Sequence, residues 1–157
     1  MASTLEQSDP ELHLLLDEIR RDFSDVVRGD AVTLHETLAI DHWGSEVERR
    51  KARELDTDNH WWEVRDEWIQ EFDGVGGLCF LDDPGFRYYL PAYLSYWLRT
   101  DHAPFPLTGL IVGRRQWRYR LFTASQRRTI GRVIRFIHHR TARKSLPTPG
   151  PLTRGEG

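Results

Sequence analysis

The chain has 157 residues, 39% of them hydrophobic and 29% charged, with six tryptophans and a single cysteine, Cys79. That balance fits one soluble globular domain with its own core; it excludes a disordered chain, a disulfide framework and, with no apolar run near ~18–20 residues, a membrane-spanning protein. The net charge of −2 hides a division, because residues 1–85 carry 8 Lys/Arg against 22 Asp/Glu while residues 86–157 carry 14 against 2.

Residues 1–8 lack the charge-then-apolar order of a leader and read as a flexible N-terminus. Asp9-Pro10-Glu11 then supplies an N-cap and a proline at the first helical position. Leu12, Leu15, Leu16, Ile19 and Phe23 follow at i, i+3, i+4, i+7 spacing and predict an amphipathic helix over about 10–25. Thr33-Leu-His-Glu36 is a capping box opening a second helix, expected to stop near Gly44. Ser45-Glu-Val-Glu48 repeats the box, and the polar stretch to about Leu55 predicts a surface helix. Residues 56–62, DTDNHWW, read as a loop entering a short helix near 65–72, after which Gly74, Gly76 and Gly77 break the chain.

The cap-then-proline signal returns at Asp83-Pro84, and Phe86, Tyr89, Leu90, Tyr93, Leu94 and Trp97 recur at helical spacing. The stretch FLDDPGFRYYLPAYL (80–94) is therefore predicted helical, kinked or broken at Pro91, which lacks an N–H and clashes with the preceding turn. Residues 101–113, holding Pro104, Pro106, Gly109 and Gly113, form the longest connection. Alternation of Trp117, Tyr119 and Leu121 with Arg118 and Arg120 suggests a short extended segment near 115–121. Thr123-Ala-Ser-Gln126 is a further capping box, opening a helix whose apolar stripe is Ile130, Val133, Ile134 and Ile137. Residues 144–157 read as a disordered tail. The expected fold is mainly α, a single compact domain of five or six helices over 9–143.

Three stretches, VTLHETLAIDHWGS (32–45), FLDDPGFRYYLPAYL (80–94) and LFTASQRRTIGRVIRFI (121–137), make the chain resemble a family of small bacterial proteins known only as a domain of unknown function. The middle stretch is the most specific, as FLxxxGFRYYLPAY, and 101–120 departs from the family pattern. The resemblance implies a small, mainly helical bacterial protein and brings no activity, cofactor or catalytic residue with it.

His35, Glu36, Asp41 and His42 share one short helix, but two turns separate the histidines by about 10.5 Å of rise, too far for one ion, and HEXXH spacing is absent. A capping box followed by surface polar groups accounts for them, so no metal and no cofactor is expected. Cys79 has apolar neighbours and no charged partner, the setting of an inert thiol. No nucleophile elbow, P-loop, dinucleotide fingerprint or CxxC occurs. His60 beside Trp61-Trp62 reads as a loop anchored by aromatics. In GFRYYLPAY, Phe86, Tyr89, Leu90 and Tyr93 share one helical face and are expected in the core. Arg87 and Tyr88 point elsewhere, and Arg87 needs a carboxylate, which Asp82, Asp83 or an acid from the first half could provide, as a structural tie or as the polar end of a pocket.

Arg128, Arg132 and Arg135 with His139 form a basic face, and Arg114, Arg115, Arg118 and Arg120 interleave with Trp117 and Tyr119. The charge division is satisfied if the acidic and basic parts pack together; alternatively the basic part faces a polyanion. The expected function is a non-catalytic, cytoplasmic bacterial interaction or accessory protein with an unknown protein partner. The alternatives are nucleic-acid binding through the Arg-rich region 114–143, and an enzyme or small-ligand protein with a site near His35/Glu36 or Arg87. Candidate contact residues are Arg87, Tyr88, Arg128, Arg132 and Arg135.

Overall fold

A computed structural model describes residues 9–72, 77–100 and 116–145. The first helix, α1 (Pro10–Asp22), starts where the Asp9 carboxylate accepts the Glu11 N–H, and it ends at Phe23, which turns into the core. The capping boxes at Thr33 and Ser45 open α2 (Leu34–Asp41) and α3 (Glu46–Arg53). Glu36 and Glu48 return to the backbone N–H groups of Thr33 and Ser45 at 3.2 and 2.7 Å. Helix α3 has no buried residue; two of its arginines hold it down, Arg49 and Arg53 both reaching Glu36 while Arg53 also donates to the Ala31 carbonyl. A 3₁₀ turn (Trp61–Glu63) and α4 (Asp66–Phe72) follow, then α5 (Gly77–Phe80), a four-residue helix without a sequence signal.

Helix α6 (Asp83–Thr100) is the hub, packing against α1, α4, α5, the 3₁₀ turns Trp61–Glu63 and Gln116–Leu121 and the last helix, α7 (Ala124–Lys144). Most of its residues are buried, and Phe86, Tyr88, Tyr89, Leu90, Tyr93 and Trp97 are each at most 1% exposed, so it runs through the core. The chain does not break at Pro91. Proline in a helix costs ~3 kcal/mol, but the buried side chains around it each recover ~1.5–3 kcal/mol, so the tertiary context prevails. The N-cap is Asp82 rather than Asp83: its Oδ1 accepts the Gly85 N–H at 2.9 Å and the Val32 N–H at 3.1 Å. A Cβ on Gly85 would lie 2.6 Å from the Val32 carbonyl oxygen, so only glycine lets α6 begin against the loop before α2.

The expected extended segment near 115–121 is instead a 3₁₀ turn, Gln116–Leu121, and no strand occurs among the described residues. A strand needs a partner edge; here Arg118 is buried and donates to the carbonyls of Leu78 and Leu81 at 3.1 and 2.8 Å, which ties the turn to α5. The described residues thus hold seven α-helices, slightly more than expected, because α5 is short. Helix α7 packs its Ile130, Val133 and Ile137 side on α1 and α6, and its Gln126 donates to the Asp22 carbonyl. It extends through Lys144; the rest of the expected tail, apart from Ser145, and the expected flexible residues 1–8 lie outside the described residues.

Candidate functional site

The loop 56–62 supplies two carboxylates that are almost wholly buried, Asp56 and Asp58. Asp56 accepts from His35 twice, from Nδ1–H at 2.8 Å and from the backbone N–H at 3.0 Å. Arg28 reaches Asp58 Oδ2 at 3.1 Å and the Asp56 carbonyl at 3.1 Å, and the Tyr88 hydroxyl donates to Asp58 at 2.7 Å. The hydrogen bond to Asp56 raises the His35 pKa against the opposing effect of burial. Burial first, then Asp58, pushes the Tyr88 phenol up, and burial does the same for Tyr89, whose hydroxyl lies near Arg28. Desolvation pulls Arg28 down, but Asp58 together with Tyr89 and Tyr88 outweighs it and the guanidinium is raised overall.

This junction links the second helix, the aspartate loop and the hub. A histidine–aspartate pair can serve a general base, but the rings of Trp68 and Phe72 pack edge-on against His35 at 5.3 and 5.1 Å, and among the described residues no hydroxyl or thiol is bonded to it. Glu36 is taken up by Arg49 and Arg53. These are not the surface polar groups expected from the capping box: His35 is half-buried and Glu36 buried, because the loop folds back over α2, while His42 is exposed. His60 stacks on Trp62 at 4.4 Å, and the Arg20 guanidinium lies 3.5 Å from the Trp62 ring centre.

Within the hub motif, Phe86, Tyr89, Leu90 and Tyr93 are core as expected, but Tyr88 is equally buried. Its hydroxyl is used by Asp58, so it does not face solvent beside Arg87. Arg87 is half-buried with no ion pair among the described residues, and its Nε is buried without a partner. Asp82, one of the carboxylates considered for it, caps α6 instead. Cys79 is exposed despite its apolar neighbours, because the short α5 turns Leu78 inward and Cys79 outward.

Along α7 the arginines divide. Arg132 pairs with Glu18 of α1, and Arg140 donates to the carbonyls of Trp97 and Leu98 at 2.7 and 2.8 Å. Arg128 and Arg135 are exposed and meet no carboxylate among the described residues. Between described residues, the ion pairs joining the basic part to the acidic part are Arg99–Asp66 and Arg132–Glu18. Arg114, Arg115 and the Trp117 side chain lie outside the described residues.

A further feature went unread in the sequence. Helix α2 ends in a Schellman cap: the Gly44 N–H reaches the Ala39 carbonyl at 2.7 Å and the Trp43 N–H that of Ile40 at 3.1 Å. The left-handed position, usually glycine, is Trp43, at φ +56°. Its side chain is 95% exposed, with Leu38 and Val47 also exposed at the same corner. The only sequence signal is the order Trp43-Gly44, one residue out of step with an ordinary glycine cap.

The family of unknown function DUF6714 matches over residues 11–146, and the chain belongs to it. No curated protein and no solved structure matches the chain. Among the described residues no helix is long and apolar enough to cross a membrane.

Proposed function

We propose that this member of a family without an assigned activity is a non-catalytic interaction or accessory protein of the bacterial cytoplasm, and that it anchors a protein partner through Trp43. The observation that carries the reading is the indole at the α2–α3 corner, 95% exposed and held at φ +56°. A bulky residue in the left-handed region costs roughly 1–2 kcal/mol, and an exposed indole gains nothing from the fold in return. Strain retained without a structural benefit is what a binding anchor looks like, and tryptophan is enriched among the residues that dominate interfaces. The packing of Trp68 and Phe72 on His35 and the engagement of Glu36 by two arginines support a role without catalysis, and a lone exposed cysteine fits a reducing compartment.

The test is a photo-crosslinking phenylalanine analogue placed at position 43 in cells, with Val27, 71% exposed, as the control position. One discrete adduct to a second protein is expected at 43 and none at 27. Trp43→Gly is expected to abolish co-purification of that protein without lowering the melting temperature. Adducts scattered over many proteins, or co-purification that Trp43→Gly leaves intact, would overturn the reading.

A further inference from the structure

On the side of α7 away from Glu18 lies a shallow groove of ≈ 350 Å³ whose walls are Tyr119, Arg127, Arg128, Arg132 and Arg135 and whose floor is Gly131. Four arginines line it, and no carboxylate does so among the described residues. One wall is braced: the Tyr119 hydroxyl donates to the Arg127 carbonyl at 3.0 Å, and the Arg127 guanidinium stands 5.9 Å from the Tyr119 ring centre. Arg132 is held from behind by Glu18, which fixes its position and leaves Arg127, Arg128 and Arg135 without a carboxylate among the described residues.

Gly131 is the second, independent observation. It sits inside a 21-residue helix, where glycine is the weakest helix former after proline. Its φ is not in the left-handed region, and an added Cβ would meet only the Arg135 guanidinium, at 3.6 Å, an ordinary contact with a flexible side chain. Neither the backbone nor the packing of the described residues asks for glycine there. What glycine does provide is an open floor between the arginines, the role it has where a ligand approaches the main chain closely.

We propose that this groove binds a compact phosphate-bearing ligand. Arginine's planar fork matches phosphate oxygens two at a time, and several guanidiniums around one group suit the −1.5 to −2 charge of a phosphate monoester. The groove lies at the lower end of the size range of small-ligand sites. An extended polyanion following α7 would run onto carboxylates in both neighbouring grooves, Glu18 and Asp22 on the α1 side and Asp9 and Glu11 toward the end of the helix. A compact ligand on Gly131 meets none of them. This site is on a different element from Trp43, and neither inference depends on the other.

The experiment titrates the full chain with inorganic pyrophosphate and with adenosine 5′-monophosphate by calorimetry at constant ionic strength, and with a 20-nucleotide single strand in parallel. Saturable one-to-one binding of at least one small phosphate is expected. Arg128→Gln and Arg135→Gln should each weaken it at least about 10-fold with unchanged circular dichroism and melting temperature. Gly131→Leu, which fills the floor while favouring the helix, should abolish binding with an equal or higher melting temperature. Arg143→Gln, outside the groove, should leave it unchanged. Absence of saturation at millimolar pyrophosphate and nucleotide, or binding indifferent to Gly131→Leu, overturns the proposal. So does a strand that binds far more tightly than either small phosphate and is weakened equally by Arg143→Gln, since that is a polyanion surface rather than a pocket.

Discussion

Arg28 and Arg135 carry the same guanidinium in opposite settings. Arg28 is half-buried against Asp58 and the Asp56 carbonyl beneath the hub helix, whereas Arg135 is exposed on α7 with no carboxylate among the described residues. The contrast extends to their regions. In the acid-rich part, Arg28, Arg49 and Arg53 all find carboxylates, while in the basic part Arg118 and Arg140 donate to main-chain carbonyls. Burial therefore decides these five cases, although exposed Arg21 and Arg50 also pair, with Asp22 and Glu46, and half-buried Arg87 has no ion pair among the described residues. A guanidinium leaving water must find acceptors, and carbonyls serve where carboxylates are out of reach. An exposed guanidinium has no such requirement, so the α7 face keeps its charge even though the chain as a whole is nearly neutral.

The largest effect expected from breaking this contrast is at Asp58. Asp58→Ala strands a half-buried Arg28 and removes the acceptor of the Tyr88 hydroxyl; a cost of ~3–5 kcal/mol is expected, read by urea denaturation. Asp58→Ala combined with Arg28→Met should recover part of it, because the stranded charge is gone. An Asp58→Ala protein as stable as the parent would show that the junction is not a stabilising element.

At His35 a smaller, pH-dependent loss is expected. The histidine is partly exposed, so His35→Ala should cost about 2 kcal/mol at pH 6, below the range for fully buried pairs. Its folded-state pKa is raised by Asp56, so the ion pair's contribution is fully present below the unfolded value of ~6.5 and is lost as pH rises through the folded value. The parent should therefore lose stability relative to His35→Ala between pH 6 and pH 9. Parallel stability curves for the two proteins would rule the pair out as the source.

Trp43→Gly should act in the other direction. Removing the left-handed strain should raise stability by about 1 kcal/mol, measured by thermal melting, and a clear loss would mean the indole packs on the fold. Smallest of all, Arg128→Gln and Arg135→Gln should each change stability by less than ~0.5 kcal/mol. A larger loss in either would show that these side chains have structural partners and would undermine the contrast with Arg28.

Much of the helical framework was legible in local sequence. Asp9-Pro10 and the boxes at Thr33, Ser45 and Thr123 place helix starts because each satisfies free backbone N–H groups within three or four residues. The stripe Ile130, Val133, Ile137 and the Phe86–Tyr93 face were legible from period alone. Arg87 was misread because a charge beside a core stripe calls for an acid, and one of the two just before it, Asp82, is used by two backbone N–H groups. Tyr88 was misread because a single apolar stripe implies one buried face, and α6 buries residues well beyond that stripe.

What the sequence determined by itself is therefore everything set by neighbours along the chain: where helices begin, which of their faces are apolar, and that charge is divided between two parts. Only the tertiary structure decided that α6 continues through Pro91, that Asp56 and Asp58 are buried against Arg28, His35 and Tyr88, and that a groove with no carboxylate among its described lining residues opens over Gly131. The reason is physical. Caps and periods depend on contacts a few residues apart, whereas the burial of a charge or the continuity of a helix is settled by free energies of packing between segments 20 to 100 residues apart in the chain, and those outweigh local propensities of ~1–3 kcal/mol.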